Sequence, residues 1–172
     1  NDDGSIPAGN PWVGREGHEP RTWSTGHRNP LGLTINPFTG ELWESEFGPR
    51  GGDEVNRIIR GGDYGWMEVT QGQHYNNAQA EGVRQVPGRI DPVLVFGPPS
   101  FNPGNLAFYR GGRFPGWEGD LLLASFSHGL LRYDTDEQGM PLNQPEFLLG
   151  ELGQRWRDVQ VAPDGAVFLL TD

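Results

Sequence analysis

The chain has no cysteine, which closes off disulfide bridges and thiolate metal sites alike. That absence leaves the compartment open, because a large β-fold does without bridges even in an oxidising space. No apolar run approaches the roughly 18 residues of a membrane-crossing helix, so a membrane partner is not expected. Positive charge is scarce: 13 Lys and Arg stand against 23 Asp and Glu, for a net charge of −10. A phosphate backbone needs a basic surface, so no nucleic-acid partner is expected. Acidity is compatible with bound calcium or simply with a soluble surface. Hydrophobic residues make up only 34% of the chain, and no stretch carries a helical period. The start, NDDGSIPAGNPW, is polar and turn-rich without a signal-peptide core, and reads as the inside of a longer chain.

Turn formers and large aromatics are abundant instead. The 27 Gly and 15 Pro approach the composition of disordered chains, whereas six Trp and nine Phe argue for a packed core. Both are satisfied by an all-β domain of short strands and tight turns over residues 1–172. Three segments repeat one theme of strand, turn and strand: LGLTINPFTGELWES (31–45), NLAFYRGGRFPGWEGDLLLASF (105–126) and DVQVAPDGAVFLLTD (158–172). In each, the first strand alternates apolar and polar residues and the second is expected to run nearly apolar. Proline presets one backbone angle at these turns and glycine accepts a positive φ. Repeats of about 40–50 residues suggest β-propeller blades, with a β-sandwich as the competing architecture. The length supplies about three blades, fewer than a closed ring needs. Residues 74–91 lack periodicity and read as a surface excursion between strands.

Three stretches carry candidate chemistry. In GHRNPLG, Arg28 and Asn29 stand before Pro30, which pushes Asn29 toward extended geometry. The pair offers a cationic fork and a neutral amide to a carboxylated or quinonoid ligand, or else an ordinary ion pair and a turn cap. In EFGPRGGDEVN, the glycines allow carbonyl groups to converge, as hard cations such as Ca²⁺ require, and Asp53 and Glu54 diverge from each other. A solvated acidic turn is the plainer reading. GGDYGW adds a second glycine turn, where a carbonyl could face Glu54. In RWRD, Arg155 and Arg157 share one strand face and Trp156 takes the other. Two arginines together need an anionic ligand or a salt bridge, for example to Asp158 or Glu151. His18, His74 and His128 are isolated, and only His27 stands among other polar candidates.

Together GHRNPLGL, FGPRGGDEVN, GGDYGW, RFPGWEGDLLL, LLGELGQRWRDV and PDGAVFLLTD resemble the glucose/sorbosone dehydrogenase family, which includes soluble aldose sugar dehydrogenases that use pyrroloquinoline quinone (PQQ). The resemblance implies a six-bladed β-propeller, of which this chain is the C-terminal half, and an oxidoreductase that takes a hydride from the anomeric carbon of aldoses. It implies PQQ contacts from Arg28, Asn29, Arg155 and Arg157, with Arg28 and Asp53 in the active site. It implies carbonyl ligands for the cofactor's calcium from Gly48 and Pro49, and a second calcium site from Glu54 and the carbonyl of Tyr64. Family members are usually exported, so a periplasmic or secreted setting is expected.

Several positions depart from the family pattern. Leu31 stands in place of a polar residue, Phe47 in place of His or Gln, Met67 in place of Pro, and Ser127 near a usual lysine. The resemblance places the family's proton-accepting histidine in the other half of the propeller, and His27 is not taken as its replacement. A catalytic role is thus expected only in a complete ring, reached by a homo-oligomer or by association with an N-terminal half. The alternative is a non-catalytic calcium-binding propeller fragment or an interaction module.

Overall fold

A computed structural model describes residues 1–73, 75 and 86–172. Most of the expected excursion at 74–91 therefore lies outside the described residues. Among the described residues, ten strands form three antiparallel sheets in chain order. The first holds β1 (Pro30–Ile35), β2 (Leu42–Glu46), β3 (Asp53–Ile58) and β4 (Leu94–Phe96), in that order across the sheet. The second holds β5 (Pro103–Phe108), β6 (Leu121–Ser125), β7 (Gly129–Tyr133) and β8 (Glu146–Leu148). A 3₁₀ turn at Gly150–Leu152 leads to the third sheet, β9 (Trp156–Val161) and β10 (Val167–Thr171).

The first strands of successive sheets, β1, β5 and β9, pack side by side. This is the radial arrangement of a β-propeller, with two four-stranded blades and a two-stranded third; it is all-β, and the sandwich alternative does not hold. Glycine permits the close approach at the hub. A Cβ on Gly32 would fall 2.8 Å from the Asn105 Cα, and one on Gly104 would fall 2.4 Å from the Arg157 carbonyl oxygen. Asn105 then ties the three inner strands together. Its Oδ1 accepts from the Leu33 N–H at 2.9 Å and its Nδ2 donates to Asp158 Oδ1 at 2.7 Å.

Two apolar layers fill the gaps between blades. Trp43 and Val55 meet Leu106, Phe108, Leu121 and Leu123 in one. Ala107, Leu122, Ala124 and Leu130 meet Trp156 and Val159 in the other. Strand β6 alternates between these layers, which is why it is apolar from Leu121 to Ala124 and its buried Ser125 hydroxyl donates to the Phe101 carbonyl: a blade in mid-array is buried on both faces. Strand β2 corrects the expectation of a nearly apolar second strand. It is buried from Trp43 onward, yet Glu44, Ser45 and Glu46 follow Trp43 into the interior.

The turns use the expected residues. Asn36 Oδ1 accepts from the Phe38 N–H at 2.9 Å, and Gly40, with φ 74°, closes the β1–β2 turn. At the β9–β10 turn Gly165 adopts φ 81° and its N–H donates to the Ala162 carbonyl.

Candidate functional site

At one end of the first blade lies a cleft of about 610 Å³. Arg28, Asn29, Phe47, Gly48, Asp53 and Trp66 contribute to its walls. The Arg28 guanidinium donates from Nη1 to the Phe47 carbonyl at 2.9 Å and sits 5.2 Å from the Trp66 ring centroid. Its Nε is buried without a hydrogen-bond partner, an unspent donor beside the cleft. The backbone of the same segment is held by Glu46, whose Oε2 accepts from the Arg28 N–H at 2.5 Å and the Asn29 N–H at 3.1 Å.

The glycine loop after β2 is shaped by one side chain. Asp53 Oδ1 accepts from the Gly48 N–H at 2.9 Å, and Oδ2 accepts from the N–H groups of Phe101 and Asn102 at 2.7 and 2.8 Å. The carboxylate is almost wholly buried and spends its hydrogen bonds on backbone from two blades. Carbonyl groups crowd the same loop. A Cβ on Gly48 would lie 2.3 Å from both the Gly51 and Gly52 oxygens, and one on Gly72 would lie 2.3 Å from the Pro49 oxygen. Only residues without side chains leave room for that convergence. Gly48 lines the cleft, whereas the Pro49 carbonyl lies against Gly72.

Behind the cleft is a void of about 10 Å³, bordered by Glu46, Gly52, Glu54 and Tyr64. Such a space holds one small ion or one water. Burial, reinforced by the charge of Glu46, pushes the Glu54 carboxyl up to about 7. The Tyr64 hydroxyl is spent on local backbone, donating to the Arg57 carbonyl at 2.5 Å and accepting from the Ile59 N–H at 2.9 Å.

Arg155 and Arg157 do share a face, and Trp156 is buried on the other. Their anionic partner is Asp172, not Asp158 or Glu151. Arg157 makes a paired contact with it, and Arg155 Nη1 lies 3.1 Å from its Oδ2. Asp158 is engaged by Asn105 and Gln160. The Arg157 guanidinium carbon stands 4.0 Å from the Phe126 ring centroid, and the Phe126 ring meets Phe47 edge-on at 5.5 Å. The two arginines thus reach the cleft wall through an aromatic pair rather than lining it.

Among the departures, Leu31 and Met67 are exposed. Ser127 bonds Asn102 Nδ2 and the Phe101 carbonyl, both at 3.0 Å. His128 stacks on Phe101 and His18 is exposed. His74 lies outside the described residues. His27 turns away from the cleft toward Glu44 and Glu46, with Nδ1 3.2 Å from Glu44 Oε1 and its ring 4.5 Å from Tyr64. Reading the sequence by motif missed Glu44, Glu46 and Asn56. The signal was the alternation E-S-E in β2 opposite E-V-N in β3, which puts four polar side chains on one face.

The family model described as Glucose / Sorbosone dehydrogenase matches residues 1–172. The chain belongs to the glucose/sorbosone dehydrogenase family. Aldose sugar dehydrogenase YliI of Escherichia coli (strain K12) is 36% identical over 179 residues, covering 99% of this chain and 46% of that protein. A crystal structure of glucose dehydrogenase superposes with a TM-score of 0.91 at 42% identity, over 98% of this chain and 49% of that one. The PQQ-bound form of aldose sugar dehydrogenase from Streptomyces coelicolor superposes with a TM-score of 0.71 at 32% identity, over 97% of this chain and 42% of that one. The chain spans about half the length of the relatives it matches within the family.

Proposed function

We propose that this chain is the C-terminal half of the cofactor platform of a PQQ-dependent aldose dehydrogenase. The observation that carries the reading is the cleft that gathers Arg28, Asn29, Gly48 and Asp53 beside Trp66. Its volume suits a rigid tricyclic acid. The unspent Nε of Arg28 and the fork beside it suit carboxylate or quinone oxygens. The crowded carbonyls of Pro49, Gly51 and Gly52 suit a hard cation, so PQQ and Ca²⁺ both fit the residues present.

When bound, PQQ supplies the two-electron acceptor for a hydride from the anomeric carbon. Arg28 would set a fixed positive charge in the cleft that holds the group. Asn29 offers its amide on the same wall. Asp53 acts by holding the Gly48 and Asn102 backbones in place. Gly48 and Pro49 are assigned to the cofactor's calcium, and Glu54 with the Tyr64 carbonyl to a second calcium at the void behind it. Arg155 and Arg157, which stand outside the cleft lining, are assigned to the cofactor's carboxylates by exchange of their Asp172 partner. The proton acceptor for the sugar hydroxyl is assigned to the other half of the ring. Exposed Leu33 and Ile35 at one end of the array and Phe168 and Leu170 at the other support completion by a further set of blades, from the same protein or a second copy. We place the protein outside the cytoplasm, in keeping with the resemblance.

Calorimetric titration of PQQ with calcium present, paired with dye reduction by aldoses in the closed ring, tests the assignment. Arg28→Ala is expected to weaken PQQ binding at least tenfold. Calcium binding without PQQ binding overturns it in favour of a non-catalytic module.

A further inference from the structure

Strands β2 and β3 set Glu44 opposite Asn56 and Glu46 opposite Glu54 in direct register. Side-chain alternation brings all four to the face of the first blade that points away from the second. Directly opposed like charges are unfavourable even at a surface, and here Glu44, Glu46 and Asn56 are all buried. The only amide within the group stands in for a cation: Asn56 Nδ2 donates to Glu44 Oε1 at 2.9 Å and to Glu46 Oε1 and Glu54 Oε2 at 3.3 Å.

Four observations point beyond a hydrogen-bonded cluster. Glu44 Oε2 and Asn56 Oδ1 are buried acceptors with no donor, although a buried polar atom without a partner is costly. His27 Nδ1 lies 3.2 Å from Glu44 Oε1 and 3.7 Å from Glu46 Oε1, yet makes no directed hydrogen bond to either. His27 Nε2 lies 2.8 Å from the Ser24 hydroxyl, so that nitrogen can carry the proton and leave the Nδ1 lone pair facing the carboxylates. One ligand atom from each of His27, Glu44 and Glu46 falls within 4.8 Å of the others.

We propose that His27, Glu44 and Glu46 form a site for a divalent transition ion of the Zn²⁺ or Mn²⁺ class. Bonds of about 2.0–2.2 Å from nitrogen and carboxylate oxygen set neighbouring ligand atoms roughly 3–3.7 Å apart, which matches the separations from Nδ1. The nitrogen ligand selects against Ca²⁺ and Mg²⁺. Rotating the Asn56 amide turns its unpartnered Oδ1 toward the ion as a fourth ligand, in exchange for the Nδ2 bonds to the carboxylates that the ion then neutralises. The part-exposed edge of His27 supplies the entry path. The ion fastens the segment carrying Arg28 and Asn29 to β2, since Glu46 offers Oε1 to the site and Oε2 to the backbone N–H groups of those two residues. This site is separate from the calcium assigned to Glu54 and Tyr64, and its test needs no PQQ.

The purified protein is stripped with chelator, saturated with Ca²⁺ and titrated with Zn²⁺ by calorimetry. One equivalent is expected, with Kd raised at least tenfold by Glu44→Gln and less than threefold by Glu54→Gln. Glu44→Gln keeps the surface histidines, so an undiminished affinity in that variant overturns the site. Equal losses in both variants also overturn it, because the ion then occupies the Glu54 position. Co²⁺ loading of the unaltered protein gives a check free of any folding defect. Intense visible d–d bands from a low-coordinate nitrogen–oxygen site are expected, and the weak spectrum of the aqueous ion overturns the proposal.

Discussion

Asn105 donates its Nδ2 hydrogen to Asp158 Oδ1 at 2.7 Å, which joins the inner strands of the second and third sheets. The same side chain takes the Leu33 N–H of the first. One amide therefore spans three blades at the hub, where Gly32 and Gly104 have brought the strands too close for larger groups. Asn105→Ala leaves the Leu33 N–H and the Asp158 carboxylate without it. A loss of about 1–3 kcal/mol is expected, read as a lower urea midpoint with little change in slope.

Asp53 plays the matching part at the cleft. Asp53→Ala removes the acceptor for the N–H groups of Gly48, Phe101 and Asn102 together, and that of Phe101 is buried away from water. A destabilisation of at least about 2 kcal/mol is expected from several unsatisfied donors. Asp53→Asn keeps the shape and is expected to lose less. Equal stability of all three proteins by chemical denaturation contradicts this account.

The middle blade is the sensitive one. Leu123 is fully buried between the first and second blades, and Leu123→Ala is expected to cost about 2–5 kcal/mol. Phe168 is exposed on β10, and in the chain measured by itself Phe168→Ser is expected to change the unfolding free energy by less than about 0.5 kcal/mol. Parallel urea titrations of the two variants check the contrast.

Burial pushes the Asp120 carboxyl up to about 6, against the pull of the Arg132 guanidinium, which lies 3.0 Å away. Between its ordinary value of 3.8 and about 6 the folded state holds the proton more tightly than the unfolded state does. The contribution of this residue to stability thus falls as pH rises through that window and is level above it. Asp120→Asn is expected to remove that part of the slope in urea midpoints measured from pH 4 to pH 7. An identical slope in the variant contradicts the assignment.

Much of the blade plan was legible because turns and apolar runs are local. Asn36–Gly40 and Ala162–Gly165 fold as their residues dictate, and LLLAS announces a strand covered on both sides. The acids of β2 were not legible in that way. Taken singly, Glu44 and Glu46 look like surface residues, and their burial follows only from pairing with β3 and from His27, which arrives from a distant loop. Asp172 as the partner of Arg155 and Arg157 was hidden for the same reason. Strand pairing, not sequence neighbourhood, sets that distance. Arg28, Asn29, Gly48 and Asp53 were singled out by motif, and the fold gathers them at one cleft.

Strand β10 is hydrogen-bonded to β9 on one side and to no other named strand among the described residues. Its outer row of amides and carbonyls is a template of the kind that accepts a guest strand by backbone bonding alone. Filled by the right segment, that row widens the third sheet toward the span of its neighbours. Left bare in concentrated solution, it invites copies to dock edge to edge, and a charged or proline-bearing cap along Val167–Thr171 is the remedy for anyone handling the chain by itself.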